Sequence, residues 1–321
     1  MKPHLLLIEP MMPTIESALR DAFTVHPYHS LEAVLPIAPR IQAIATGGAT
    51  GVPAPLLAAL PALEIIAING VGTDAVNLNE TVRRGIHVTT TPGILTDDVA
   101  DLAFALLLSA LRQVPTGDHF IRTRQWGKNT LPLAHKASGK RLGIFGMGHV
   151  GKAVARRAYG FDMPVSYHHT HNLHLNNAYF VPSLLELAQK NDILVLSASA
   201  TPQTYHSINQ NILEALGPKG LLINVSRGSL VDETALITAL QNGVLGAAAL
   251  DVFEHEPNVP EALLSMENVV LQPHRASATV ETRLTMGQCV VDNLLAHFSG
   301  RPLISPVLPK TPSSGASTTA S

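Results

Sequence analysis

RLGIFGMGHVGKAVARRA, residues 141–158, is the stretch whose reading decides the fold. The segment 141–146 is a short apolar run of the length of a buried strand, and it leads directly into Gly146, Gly148 and Gly151, spaced Gly-x-Gly-x-x-Gly. An alanine-rich helical pattern follows. A strand, a glycine turn and a helix in that order open a dinucleotide-binding βαβ unit. The first glycine permits the tight turn, the second lets a pyrophosphate approach the backbone, and the third lets the helix pack closely on the strand. The amides around His149 and Val150 then lie at a helix N-terminus, where unpaired N–H groups favour a phosphate.

The same alternation extends in both directions. Downstream, PVSYH, DILVLSAS, LLINVS, GAAALDV and VVLQP are strand-like, so that this half is expected to hold six strands with helices between them. Upstream, HLLLIE (4–9), IQAIAT (41–46), LEIIAI (63–68) and HVTTT (87–91) form a second series. Runs this uniformly apolar fit parallel strands covered on both faces. The expected architecture is α/β, with two Rossmann-like doubly wound parallel-sheet domains and an active site in the cleft between them. DDVADLAFALLLSALRQ (97–113) reads as a long helix buried on several sides, serving as a domain connector or a subunit contact. A final helix from about Val280 to His297 is expected to return to the first domain, making the smaller domain discontinuous. The expected division is 1–98 with 282–308 for substrate, 99–281 for the dinucleotide, and a disordered Ser/Thr/Pro-rich tail at 309–321.

Composition narrows the class. A chain of 321 residues, 46% hydrophobic and 14% charged, has material for about two domains. With 22 Lys and Arg against 24 Asp and Glu it carries no electrostatic footprint for nucleic acid or an anionic membrane. The apolar run Leu102–Leu111 is far shorter than the roughly 20 residues of a membrane span, and MKPHLLLIEP lacks the features of a signal peptide. The single cysteine, Cys289, rules out an intrachain disulfide and suits a reducing cytoplasm; its apolar helical setting reads as a buried structural thiol.

About 20 residues beyond the glycine turn, an acid normally bonds the adenosine ribose of NAD. Here the segment is PVSYHHTHN, with His169 and Thr170 at that place and His168 and His171 beside them. Without the carboxylate nothing repels a 2′-phosphate, so NADP is the favoured cofactor and NAD the alternative. A zinc site in the HHTH cluster is not supported, because no Cys or carboxylate completes a ligand set.

Three strand-like runs end near ionisable residues: Arg227 after LLINVS, Glu256 beyond AAALDVF and His274 after VVLQP. Ligands of open parallel sheets bind beyond the carboxyl ends of the strands. A guanidinium forks onto a carboxylate, an imidazole carries a proton near neutral pH, and an adjacent carboxylate orients the imidazole. Taken singly, each has a blander reading: a loop arginine, a capping or surface acid in company with Asp251 and Glu254, and a satisfied loop histidine.

The set GMGHVG, TPGILTDDVADLAFALLL, NVSRG, ALDVFEHEP and LQPHRASATVETR resembles the D-isomer-specific 2-hydroxyacid dehydrogenase family over nearly the whole chain. The forms VGTDAV, TPGILTDDVAD and PHRAS are most similar to its bacterial hydroxypyruvate and glyoxylate reductases. The resemblance implies that Arg227 binds substrate, Glu256 partners the acid/base His274, and Asp251 lies near the nicotinamide carboxamide. It implies substrate-carboxylate donors at the Val71 and Gly72 amides. It places Thr96 and Thr201 along the nicotinamide half of the cofactor and counts Val225 among the cofactor-contacting positions. It further implies NAD(P)H-dependent reduction of a small 2-oxo acid to the D-2-hydroxy acid, in a homodimer formed through the 97–113 helix. The rivals are a dinucleotide-sensing, corepressor-type binding protein and a D-lactate-type or 2-ketogluconate-type dehydrogenase; Glu256, where formate dehydrogenases carry Gln, argues against formate oxidation. The family commonly has Ile-Gly after the catalytic histidine, whereas Arg275 and Ala276 stand here. Substrate choice is expected from the loops Thr46–Gly51, Arg124–Trp126 and Leu131–His135, with Trp126 either roofing the substrate or anchoring its loop.

Overall fold

The apolar runs become strands of two all-parallel sheets in a computed structural model that describes residues 2–308. The tail expected at 309–321 lies outside the described residues. The first sheet contains β1 (His4–Leu7), β2 (Thr24–Pro27), β3 (Ile41–Gly47), β4 (Ile65–Asn69) and β5 (His87–Thr89), in the order β2-β1-β3-β4-β5. The second contains β6 (Leu142–Phe145), β7 (Val165–His168), β8 (Tyr179–Phe180), β9 (Ile193–Leu196), β10 (Leu221–Asn224), β11 (Ala247–Leu250) and β12 (Val269–Leu271), in the order β12-β11-β10-β9-β6-β7-β8.

Two of these strands were not expected, and both are edges. The TVHP run of β2 is partly exposed and is defined by its pairing with β1. The two-residue β8, paired to β7 through Ser166 and Tyr179, makes the second sheet seven-stranded rather than six-stranded. An edge strand with one neighbour need not be apolar throughout, so no run announces it. In the second sheet the strand order reverses between β6 and β9, the switch point at which ligands of such sheets bind.

The chain divides into two compact units, one running to Ile94 and resuming at Val280, the other Leu95–Thr279. In the first, the helix Val280–Phe298 packs on β4 and on the helix Pro13–Ala22. Cys289 is half-buried rather than buried, 3.5 Å from the Asn293 amide nitrogen. In the second, the helix Thr96–Arg112 lies against the helix His149–Tyr159 and against β10, β11 and β12. Its Val99, Ala103, Phe104, Leu106, Leu107 and Leu111 are buried there, while Leu102 and Leu108 stay half-buried. Arg157 ties the two helices through Asp101 at 2.6 Å. The chain then turns at Gln113, whose φ of 52° lies in the left-handed region, into the helix Val114–Arg122, none of whose residues is buried. Among the described residues, no single helix is long and apolar enough to cross a membrane.

Three helix starts in the second unit are capped by side chains: Ser183, Asn209 and Asp232 each accept from an amide of the first turn that follows. Each cap fixes where the chain leaves the carboxyl end of the sheet or enters the next layer, and so how long the intervening loop is.

Candidate active site

Three adjacent strands deliver the chemistry. β10, β11 and β12 are neighbours running parallel, and Arg227, Glu256 and His274 all follow their carboxyl ends. His274 Nδ1 lies 2.7 Å from Glu256 Oε2. A carboxylate only accepts, so Nδ1 donates and the other ring nitrogen, Nε2, is left to exchange a proton with a reacting group. Glu256 Oε1 accepts from the Phe253 amide at 3.0 Å, which fixes the carboxylate on its own loop. Burial works to raise the Glu256 carboxyl, but the bonds from His274 and Phe253 and the charges of His274 and Arg227 outweigh it and hold it below the ordinary glutamate range.

Asp251, fully buried at the end of β11, organises the histidine loop from beneath. Its carboxylate oxygens accept from the amides of Arg275 (2.8 Å) and Ala276 (3.0 Å), and its carbonyl accepts from the His274 amide at 2.7 Å. Burial pushes this carboxyl above the ordinary aspartate range against the pull of those amides and of His274. The three bonds hold His274 at a φ of 47°, a left-handed backbone uncommon for residues other than glycine. Arg275 and Ala276 bond Asp251 through backbone amides, which explains why side chains unlike the family's usual pair are accommodated there.

The arginine turn is built as tightly. Buried Asn224, the last residue of β10, accepts from the Ser226 amide at 3.0 Å and donates to the Arg227 carbonyl at 2.9 Å. The Ser226 hydroxyl bonds the Ala198 carbonyl at the end of β9. A Cβ on Gly228 would come within 1.9 Å of the Phe253 carbonyl carbon, so only glycine lets the Arg227 turn press against the loop that carries Glu256.

The glycine turn after β6 suits a dinucleotide. Gly146 has a φ of 98°, and a Cβ there would lie 2.4 Å from Ala198 Cα; one on Gly151 would lie 2.2 Å from the Gly146 carbonyl oxygen. A Cβ on Gly148 would meet nothing within 4 Å. Packing thus demands the first and third glycines, while at the second the backbone faces open space beside the helix whose first residues are His149 and Val150. An open approach to amide donors at a helix start fits a pyrophosphate. His169 follows β7, and its Nδ1 lies 3.4 Å from the Met147 amide, which donates to it. Burial, then His171, His168 and Lys152, lower His169 below the ordinary histidine range, favouring a neutral ring with its proton on Nε2. Thr170 contacts His171 at 3.1 Å.

The remaining expected positions differ in what they offer. Thr96 is the first residue of the helix Thr96–Arg112. The Thr201 hydroxyl lies 3.2 Å from that of Thr204, within a turn after β9. Val225 is buried, which leaves its backbone as the available contact. In the first unit, Val71 and Gly72 follow β4 on a loop where Val71 is exposed, and a Cβ on Gly70 would sit 3.2 Å from Gly48 Cα. Trp126 is 80% exposed in the second unit, and Leu133, Val114 and Ile121 are also exposed.

Comparison with known proteins agrees with this geometry. Residues 104–276 match the D-isomer specific 2-hydroxyacid dehydrogenase, NAD binding domain. The chain belongs to the D-isomer specific 2-hydroxyacid dehydrogenase family. It is 47% identical over 307 residues to a 2-ketogluconate reductase of Gluconobacter oxydans (strain 621H), covering 96% of this chain and 99% of that one. It is 46% identical over 269 residues to a glyoxylate/hydroxypyruvate reductase A of Arabidopsis thaliana, covering 84% and 86%. Among solved structures, an NADPH-dependent glyoxylate/hydroxypyruvate reductase from Sinorhizobium meliloti in complex with NADP and malonate superposes with a TM-score of 0.90 at 43% identity, covering 96% and 97% of the two chains. In this 2-hydroxyacid dehydrogenase the two parallel-sheet α/β domains are those of the family.

Sequence reasoning left out part of the site's surroundings. Asn224 read as the end of a strand, Glu254 as a surface acid, and Glu233 and His206 were passed over. Glu233 is buried and Glu254 nearly so. A buried acid in a helix's first turn and an acid two residues before Glu256 were the available signals, and neither has meaning until the loops after β9, β10 and β11 are seen together.

Proposed function

We propose that this 2-hydroxyacid dehydrogenase reduces a small 2-oxo acid, hydroxypyruvate and glyoxylate foremost, to the D-2-hydroxy acid, with NADPH as cofactor. The observation that carries the reading is the 2.7 Å bond of His274 Nδ1 to a doubly held Glu256, beside the Arg227 turn. Bound reduced nicotinamide supplies a hydride to C2 of the substrate. Arg227 takes the substrate carboxylate and polarises the keto oxygen. Glu256 stabilises the charged ring of His274, whose Nε2 passes its proton to that oxygen; in the reverse direction the neutral ring takes it back. Asp251 keeps the ring on station through the loop amides.

Gly146, Gly148 and Gly151, with the His149 and Val150 amides, are assigned to the pyrophosphate, and Thr96, Thr201, Val225 and Asp251 to the nicotinamide half. His169 and Thr170 are assigned to the 2′-phosphate: both offer hydrogen-bond donors, and neither repels the anion as an acid would. The reductase is further proposed to be cytoplasmic and homodimeric. The subunit contact is assigned to the 97–113 helix region, on which Leu102 and Leu108 remain half-buried beside the covered face.

Initial rates with glyoxylate, hydroxypyruvate, pyruvate and 2-ketogluconate, each with NADH and NADPH, test the reading. The expected result is the highest kcat/KM for hydroxypyruvate or glyoxylate with NADPH. Preference for 2-ketogluconate would reassign the substrate, and absence of turnover with every pair would overturn the reading.

A further inference from the structure

Outside the reacting groups, one cluster of ionisable side chains joins the three loops that carry or flank them. His206, in the loop after β9, donates from Nε2 to Glu254 Oε1 at 2.7 Å, and its amide donates to the Ser229 carbonyl, on the Arg227 turn, at 2.9 Å. Its backbone is held at a φ of 47°. Its ring stacks on Tyr205 with centroids 3.9 Å apart, and the Tyr205 hydroxyl donates to the same Glu254 oxygen at 3.1 Å. Glu254 precedes Glu256 by two residues, and its amide donates to Glu233 Oε1 at 2.8 Å. Glu233 in turn is buried at the start of the helix after the arginine turn.

We propose that His206 and Glu254 form a positioning couple that sets the Glu256 carboxylate on His274 and keeps the Arg227 turn in register with it. The inference rests on the reductase reading above. Its physical basis is constraint. The loop from Phe253 to Glu256 carries two acids of like charge, and one of them, Glu254, has a side chain only 15% exposed. A half-dry carboxylate that loses its shorter donor, with the Tyr205 hydroxyl left on the same oxygen, relaxes by swinging toward water and takes its loop with it. With His206 in place that route is closed, because the same residue is bonded to the Arg227 turn. Displacements of about 1 Å at reacting groups cost up to ~100-fold in rate, so a brace that touches no substrate still governs kcat. Neither His206 nor Glu254 is a catalytic residue in this account.

The test uses the full-length protein with His206→Phe, which keeps an aromatic ring beside Tyr205 and removes the imidazole donor, and His206→Gln, which restores an N–H donor. His206→Phe should lower kcat for hydroxypyruvate about 10- to 100-fold, with KM for NADPH within about 2-fold of wild type, and His206→Gln should recover most of the loss. Proton NMR supplies a readout independent of turnover: the low-field Nδ1 proton of His274, assigned by its loss in His274→Ala, should shift or broaden in His206→Phe and return in His206→Gln. An unaltered resonance together with wild-type kcat in His206→Phe would overturn the proposal, even if Tm fell. A wild type inactive on every substrate would defeat the reductase reading alone, and the resonance would still decide whether the couple exists.

Discussion

His274 meets Glu256 through Nδ1, so deleting the ring removes the proton donor without touching the glycine turn that holds the cofactor. His274→Ala should therefore lower kcat about 10²- to 10⁴-fold, with NADPH affinity, measured by fluorescence titration, close to wild type. Glu256→Gln tests charge rather than shape. The folded carboxyl is held below its ordinary range, so its ionic contribution to stability is complete above the unfolded glutamate value and is lost as pH falls through the folded one. The Tm difference between wild type and Glu256→Gln, followed by calorimetry, should thus be largest near neutral pH and shrink on acidification; a constant difference would contradict the cited cause. Individually these residues were legible as types in the sequence. What was illegible was the role of Asp251, whose oxygens go to backbone amides of a loop 24 and 25 residues further along.

At the scale of elements, two glycines separate packing from ligand approach. Gly228→Ala places a methyl group against backbone atoms of Phe253 and Glu254 that cannot yield, so it should destabilise the second unit by about 1–3 kcal/mol and reduce kcat as the two loops part. Gly148→Ala meets open space, so it should leave Tm nearly unchanged while raising KM for NADPH severalfold. Thermal melts paired with steady-state kinetics distinguish the two, and a large Tm loss in Gly148→Ala would mean that the backbone there is not open to a ligand. The interior strands were readable because both faces are buried and the runs are uniformly apolar. The edges β5 and β12 still showed in the runs HVTTT and VVLQP, whereas β2 and β8, short and partly exposed, are defined by their partners rather than by their own composition. The helix Thr96–Arg112 was legible as buried, but its partners within the unit were not: only the fold shows that it lies on the helix His149–Tyr159 and on β10, β11 and β12.

At the scale of the molecule, the second unit is one continuous segment, Leu95–Thr279, whereas the first needs both ends of the chain. A fragment of that segment should fold alone and bind NADPH without turning over a 2-oxo acid, as seen by cofactor fluorescence and activity assay; an unfolded fragment would show that the segment depends on the other unit. For assembly, Leu102→Asp with Leu108→Asp should shift sedimentation of the proposed homodimer to monomer, since both side chains stay partly exposed. By itself the sequence determined the parallel α/β class and the glycine turn, and marked Arg227, Glu256 and His274 as candidates, because burial on both faces and the geometry of a dinucleotide turn restrict composition locally. Only the tertiary structure decided which amides Asp251 holds, which edges the sheets have and how His206 joins three loops. Those depend on which strands lie side by side, and strand order is a long-range property that no local pattern records.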